Sequence, residues 1–440
     1  MANTKIDALL RKVQEEEVQF VQLWFTDLLG NLKSIEIPAP SVGVALAEGV
    51  GFDGSSIHGF ARIDESDMVA LPDAETFAVL PWDRTVARVI CDIVKPGGEP
   101  YEGDPRWVLK RALSRADALG FTMHVGPELE YFYLKSDSET DVLDAAGYFD
   151  LSPPDVGSEI RRATVLAIKD IGIDVSAAHH EVAQSQEEID LHHCEALRMA
   201  DQLMTCRYVI KEMARRNGIH ATFMPKPLQD QNGSGMHVHQ SLVAADGKNA
   251  FFDSDDPLHL SSAARGYIAG LVRHADELIG ICAQWVNSFK RLVPGFEAPV
   301  YITWALHNRS NMIRIPMYQP GREGATRVEF RAPDPACNPY LAFAVMLHAG
   351  LEGIEQGYPL PEPTDVDVYG LTDEERTARS IASLPGSLNE AIAAMESSEL
   401  VRKALGTHIF EKFIENKRIE WDSYRSQVHR YEVERYLPIL

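Results

Sequence analysis

No apolar run among the 440 residues approaches the roughly 18 needed to span a membrane, and the opening segment, MANTKIDALLRK, has no apolar core like that of a secretory signal. A cytoplasmic protein that does not enter a membrane is the expectation. Paired cysteines are missing as well. The five present, Cys91, Cys194, Cys206, Cys282 and Cys337, are odd in number and show no CxxC spacing, which argues against a disulfide framework or a zinc ribbon and leaves small thiols, buried or at the surface. Basic charge is in deficit, with 42 Lys and Arg against 65 Asp and Glu and a formal net charge of −23. A nucleic-acid partner is thereby disfavoured, because neutralising phosphates takes a basic surface. A small anionic substrate held by local arginines is not.

What is present is ordinary globular composition, 45% apolar and 24% charged, without repeats or low-complexity tracts. The length exceeds what one hydrophobic core usually serves, so a small and a large domain are expected. Residues 18–26 and 32–37, rich in β-branched and apolar side chains around Gly30-Asn31, predict a hairpin. A third strand is predicted over 86–94. Asp104 then reads as a helix N-cap followed by Pro105 at the first helical position, and the domain boundary is placed there, giving 1–104 and 105–440. Further on, strands are expected around 125–134, a long helix over 194–216 ending at Gly218, and a helix after Asn338-Pro339. The fold class is α+β.

Within the larger part, Glu128 and Glu130 alternate on a strand and so project from one face. Paired like charges need compensation, and hard oxygen ligands without a thiolate favour Mg²⁺ or Mn²⁺. An isolated Glu-x-Glu also suits a solvated strand, so the motif is weak alone. A second acidic cluster, HHEVAQSQEE over 179–188, contains Glu181 and Glu188. More specific is Lys226-Pro227-Leu228 followed by NGSGMHVHQS over 232–241, where glycines flank Ser234 and His237 and His239 share a face. Arg291, Arg309, Arg314 and Arg331, set among apolar strand-like residues, supply planar forks for carboxylate or phosphate. Acidic clusters and arginines together suit a metal-plus-phosphate site.

These strings, with GFDGSS over 51–56 and RLVPGFEAP over 291–299, resemble the type I glutamine synthetases along nearly the whole chain. The resemblance implies a small β-grasp N-terminal domain, a large catalytic α/β domain, and a dodecamer of two hexameric rings with active sites between subunits. It implies ATP-dependent joining of ammonia to the γ-carboxylate of L-glutamate through γ-glutamyl phosphate. One Mg²⁺ or Mn²⁺ would lie on Glu130, Glu181 and Glu188, and a second on Glu128, His237 and Glu329. Substrate contacts fall on Ser56, Tyr148, Asn232, Gly233, His237, Arg291 and Arg331. ATP contacts fall on His239, Ser241, Arg309 and Arg314. Asp53, supplied by the next chain with Ser56, would deprotonate ammonium. Glu297 sits on the loop that closes over glutamate, and Arg309 assists phosphoryl transfer.

Some positions depart from the family pattern. Ser176 replaces a glutamate near the nucleotide, His193 an aromatic residue, and Gln184 to Glu187 the usual Pro-Gly-Gln-His. Arg62 matches an arginine tied to glutamine feedback in α-type members. The extra segment of β-type members is missing, which argues against control by adenylylation. Tyr369, near the tyrosine modified in those members, reads as an exposed residue after a Pro-rich loop. Two other readings stay open, a γ-glutamyl-amine ligase using a polyamine and an idle regulatory homologue.

Overall fold

The computed structural model of the chain describes residues 2–55, 57, 67–306, 308 and 310–440. An amphipathic helix, α1 (Ala2–Glu15), leads into β1 (Phe20–Thr26) and β2 (Leu32–Pro38), which pair antiparallel from Thr26↔Leu32 to Phe20↔Pro38. The turn is organised by Asp27 rather than by Gly30-Asn31 alone: its side chain accepts from the Leu29 and Asn31 amides, and Gly30 takes φ +84° to let the chain reverse. The helix α2 (Val42–Glu48) is followed by β3 (Val50–Asp53), β4 (Asp67–Pro72), β5 (Ala78–Leu80) and β6 (Asp83–Val94). The sheet order is β2-β1-β6-β4-β3, with β5 also on β6, so Asp53 stands on an edge strand. A separate core including Val21, Leu23, Phe25, Val89 and Ile93 fills the space beneath the helices.

Asp104 does cap α3 (Pro105–Ala118), accepting from the Arg106 amide. The chain then turns through Gly120 directly into β7 (Phe121–Leu134), four residues earlier than the sequence pattern marks. After α4 (Ser158–Asp170) come β8 (Val175–His180), β9 (Gln186–Leu191), β10 (Cys194–Glu195), α5 (Ala196–Arg216), β11 (His220–Thr222) and β12 (Val238–Ala244). Cys194 and Glu195, expected in the helix, pair with Val125 and His124 of β7 instead. The short β13 (Trp304–Ala305), β14 (Ile313–Arg314) and β15 (Val328–Phe330) complete the larger sheet, ordered β13-β14-β15-β12-β7-β9-β8 with β10 and β11 on β7. One face is covered by helices. The helix Pro339–Gln356, capped by Asn338 and ended by left-handed Gly357, is apolar on nearly every side and buried for most of its length. Helices and mixed sheets together give the α+β class expected. Among the described residues no helix is long and apolar enough to cross a membrane.

Two polar ties join the smaller sheet to the larger body. Asn338 donates its side-chain amide to the carbonyls of Asp27 and Leu28, and Gln284 donates to Leu29. Arg106, buried, ion-pairs with Asp73 and Asp92 on one side and Asp201 on the other. The hairpin turn and the β4–β6 part of the first sheet are thereby tied to the larger body.

Candidate active site

The wall of the cleft is the centre of the larger sheet. On β7 the period of two aims Glu128 and Glu130 the same way, and the register sets Glu188 of β9 opposite Glu130. On the other side β12 pairs with β7 and β15 with β12, bringing His239 opposite Glu329, while Arg314 of β14 faces Glu329 in turn. Five strands distant in sequence thus deliver acidic, imidazole and guanidinium groups to one surface. The resulting cavity of about 580 Å³ is lined by all six expected metal ligands, Glu128, Glu130, Glu181, Glu188, His237 and Glu329, and by Tyr148, Asn232, Gly233, Arg291, Glu297, Arg314 and Arg331.

Inside it, His237 Nδ1 and His239 Nε2 each lie 2.8 Å from an oxygen of Glu128. Burial opposes charge on Glu128, yet those two hydrogen bonds hold its carboxyl well below the usual range. Glu329 is fully buried and also depressed, because the nearby histidines, Arg331 and Arg314 outweigh desolvation. Arg331 donates to it at 2.8 Å, and Arg314 pairs with its other oxygen. Glu128, His237 and Glu329 present ligand atoms all within 4.8 Å of one another.

The other acidic group behaves oppositely. Glu130 accepts from Gln186 Nε2 and from the Gly235 amide, both at 2.9 Å, but burial and the neighbouring Glu181 push its carboxyl up to about 8. Burial likewise raises Glu181, and burial with Glu130 and Asp190 raises Glu188 well above its ordinary value. Two buried carboxyls and a half-buried one that resist ionisation together call for a cation. Hard oxygens, one imidazole and no thiolate match Mg²⁺ or Mn²⁺, so the residues fit the divalent ions expected. Glu188 also lies against His179, 3.4 Å away, and Asp190, forming a second compact group that the sequence reading passed over. Asp190 follows Glu188 by two on β9 and was legible by the same alternation.

A sign follows for pH. Between the ordinary carboxyl value of 4.5 and about 8, folded Glu130 keeps a proton that the unfolded chain lacks, so metal-free stability falls as pH rises through that window. A cation competes with that proton. Adding Mg²⁺ or Mn²⁺ to chelator-treated protein is expected to raise the melting temperature more at the upper end of the window than at its lower end. Equal shifts at both ends would count against ligation by this carboxyl.

The glycines earn their places by close approach. A Cβ on Gly235 would meet Arg291 Nη2 at 2.6 Å and Glu130 at 3.2 Å, and one on Gly233 would meet the Pro225 carbonyl at 2.3 Å. Arg291 itself is anchored, donating to the carbonyls of Arg331, Ala332 and Pro333. Asn232 Nδ2 lies 3.5 Å from Glu297, whose φ of +59° is a strained backbone for a side chain of this kind. Tyr148 stacks on Phe149 at the rim.

A second cavity, about 270 Å³, opens behind Glu128 and takes in Ser176, His193, His239 and Ser241. His124, Asp190 and Arg327 line it too. Arg327 donates to His239 Nδ1 at 3.1 Å and was missed, although it precedes Glu329 and Arg331 in the same alternation. Asp53 is exposed on β3, its carboxylate held low by the Ser55 hydroxyl and amide, and does not line the cleft of its own chain. Ser56, Arg62 and Arg309 lie outside the described residues.

Hard ligands gathered beside arginines, on an α+β frame with a second cavity adjoining, suit a metal-dependent ligase. Comparison with known proteins names the kind. Residues 17–96 match the glutamine synthetase β-grasp domain and residues 102–436 the glutamine synthetase catalytic domain. Glutamine synthetases of Mycolicibacterium smegmatis and Methanosarcina mazei are each 49% identical to this chain, covering 98% and 99% of it and 98% of their own lengths. That of Thermotoga maritima is 48% identical over 98% of this chain and 99% of its own. A solved GmaS complex with ADP superimposes with a TM-score of 0.90 at 32% identity, covering 98% of this chain and 99% of that one. The chain belongs to the glutamine synthetase family, the ATP-dependent glutamate–ammonia ligases.

Proposed function

We propose that this cleft joins ammonia to the γ-carboxylate of L-glutamate in two steps, with Glu130, Glu181 and Glu188 holding one Mg²⁺ or Mn²⁺ and Glu128, His237 and Glu329 a second. The observation that carries this is the meeting of those six side chains, from three strands and two loops, in one cavity walled by arginines. When bound, the cations supply neutralisation of the charge that builds up during phosphoryl transfer. Arg291, Arg331, Asn232 and the Gly233 backbone hold and orient glutamate, while Arg314 and Arg309 grip phosphate oxygens. His239 and Ser241, in the adjoining cavity, hold the nucleotide.

A carboxylate is a poor electrophile, and its phosphorylation to γ-glutamyl phosphate makes the carbon attackable. Ammonium has no lone pair, so Asp53, brought with Ser56 from a neighbouring subunit, takes a proton from it. Tyr148 and Glu297 complete the cation-binding pocket. Closure of the Glu297 loop keeps water from the acyl phosphate. This reading includes a cytoplasmic dodecamer, a boundary between domains at 104/105, and feedback by glutamine through Arg62.

Purified protein given glutamate, ATP and Mg²⁺ is expected to release phosphate only when ammonium is added. Faster turnover with ethylamine, putrescine or spermidine than with ammonium would move the assignment to a γ-glutamyl-amine ligase. The cation-binding pocket favours ammonia, since an alkyl chain needs part of that cage removed.

A further inference from the structure

We propose that Tyr369 and Lys226 are positioning residues that clamp the Glu297 loop from two sides and so set how well water is kept from the acyl phosphate. This rests on the function proposed above. The loop, residues 293–299, carries two left-handed residues, Gly295 at φ +96° and Glu297 at φ +59°. Such a backbone does not hold itself, and something around it has to fix it. Besides the long Asn232–Glu297 contact, the structure shows two.

On one side, the Tyr369 hydroxyl donates to the carbonyl of Ala298, the residue directly after Glu297. Tyr369 is half-buried and lines the same cavity, contrary to the exposed tyrosine that the sequence suggested. Burial pushes its phenol up to about 12, so it stays a donor across the range in which enzymes work. Its own position is fixed. Asp367 caps the turn by accepting from the Tyr369 amide, Val368 is fully buried, and Tyr301 and Ser383 bridge the segments behind, with Arg376 over the Tyr301 ring.

On the other side, the Lys226 ammonium sits 3.5 Å from the centre of the Phe296 ring and donates to the Gln231 carbonyl. Lys226 is buried, so this cation–π contact is made largely away from solvent. It links the loop to the Asn232-Gly233 backbone that holds glutamate. The Lys-Pro string next to the glycine motif thus has a physical task that no ligand contact explains.

An open loop has a defined chemical consequence. Water reaching γ-glutamyl phosphate adds its oxygen to the acyl carbon and the carbon–oxygen bond to phosphate breaks. Glutamate is regenerated and hydrogen phosphate released, one of the water's protons staying on the phosphate and the other going to solvent, so ATP is spent without amide formation. The clamp therefore governs coupling rather than the rate of phosphoryl transfer.

The test compares wild type with Tyr369→Phe, Lys226→Met and Lys226→Arg in the full chain, measuring phosphate and glutamine together, with and without ammonium. Tyr369→Phe and Lys226→Met are expected to raise ammonium-independent phosphate release about five- to tenfold, as loss of one buried polar contact gives. KM for ammonium rises, KM for ATP stays put, and Lys226→Arg restores coupling. Amide hydrogen exchange over 293–299 increases in the two loss variants and not elsewhere. A fall in kcat with phosphate and glutamine still released one to one, or unchanged exchange in that segment, overturns the clamp. Wild-type phosphate release that ignores ammonium would instead sink the proposed function, and the exchange measurement would still decide the clamp.

Discussion

Glu130→Gln is expected to lower glutamine synthesis by about 10³-fold or more, the rate equivalent of several kcal/mol of lost charge stabilisation. The glutamine side chain keeps the shape of the original and can still accept from the Gly235 amide, so the strand pairing around it survives. Gln186 Nε2 donates to the same oxygen as the Gly235 amide, so that bond can survive too, and what disappears is the negative charge offered to a cation beside Glu181 and Glu188. Because folded, metal-free Glu130 has to take up a proton at neutral pH and a glutamine does not, the substitution should stabilise the metal-free protein, by ~1–3 kcal/mol at neutral pH. Activity and metal-free stability then move in opposite directions. Calorimetric Mn²⁺ titration, steady-state assay and thermal melting of the same preparation check all three, with one fewer tight site expected per subunit. Full Mn²⁺ stoichiometry with near-normal synthesis would remove Glu130 from the ligand set.

The parts of the molecule that could be read in advance are those whose signal is local. Asp104-Pro105, Asn338-Pro339 and Gly218 announce helix ends because caps act on their own neighbours. Glu128 and Glu130 share a face because pleating fixes a period of two. The wall itself could not be derived that way. β13, β14 and β15 are two or three residues long, too short to carry a pattern, and Arg314 meets Glu329 only through pairing across them. Those placements came from resemblance to a family, where the whole tertiary arrangement travels with the motif. Resemblance has its own blind spots. Tyr369 looks exposed in a polar, Pro-rich neighbourhood, yet the carbonyl that buries its hydroxyl belongs to Ala298, far back along the chain. Asp190 and Arg327 were within reach of the same alternation that marked Glu188 and Glu329, and were left unread because no motif included them.

Asp53→Ala and Glu130→Gln are each expected to be inactive alone, yet to recover activity when their subunits share one oligomer. Within a single chain Asp53 lies on an edge strand of the smaller sheet and is not part of the cleft. If it deprotonates ammonium, the cleft it serves belongs to a neighbour. Alanine there should cut synthesis by about 10²–10⁴-fold, the usual weight of a general base, while metal binding persists because no cation ligand is touched. Co-expressed at equal dose, the two inactive chains form some sites from the intact cleft of one and the intact Asp53 of the other. Random assembly makes that combination in about a quarter of sites, so about a quarter of wild-type activity should return. Purification through two different tags, one on each chain, isolates the mixed species for assay. If the mixture performs no better than its inactive parents, Asp53 does not act across a subunit boundary, and the proton of ammonium must leave by another route.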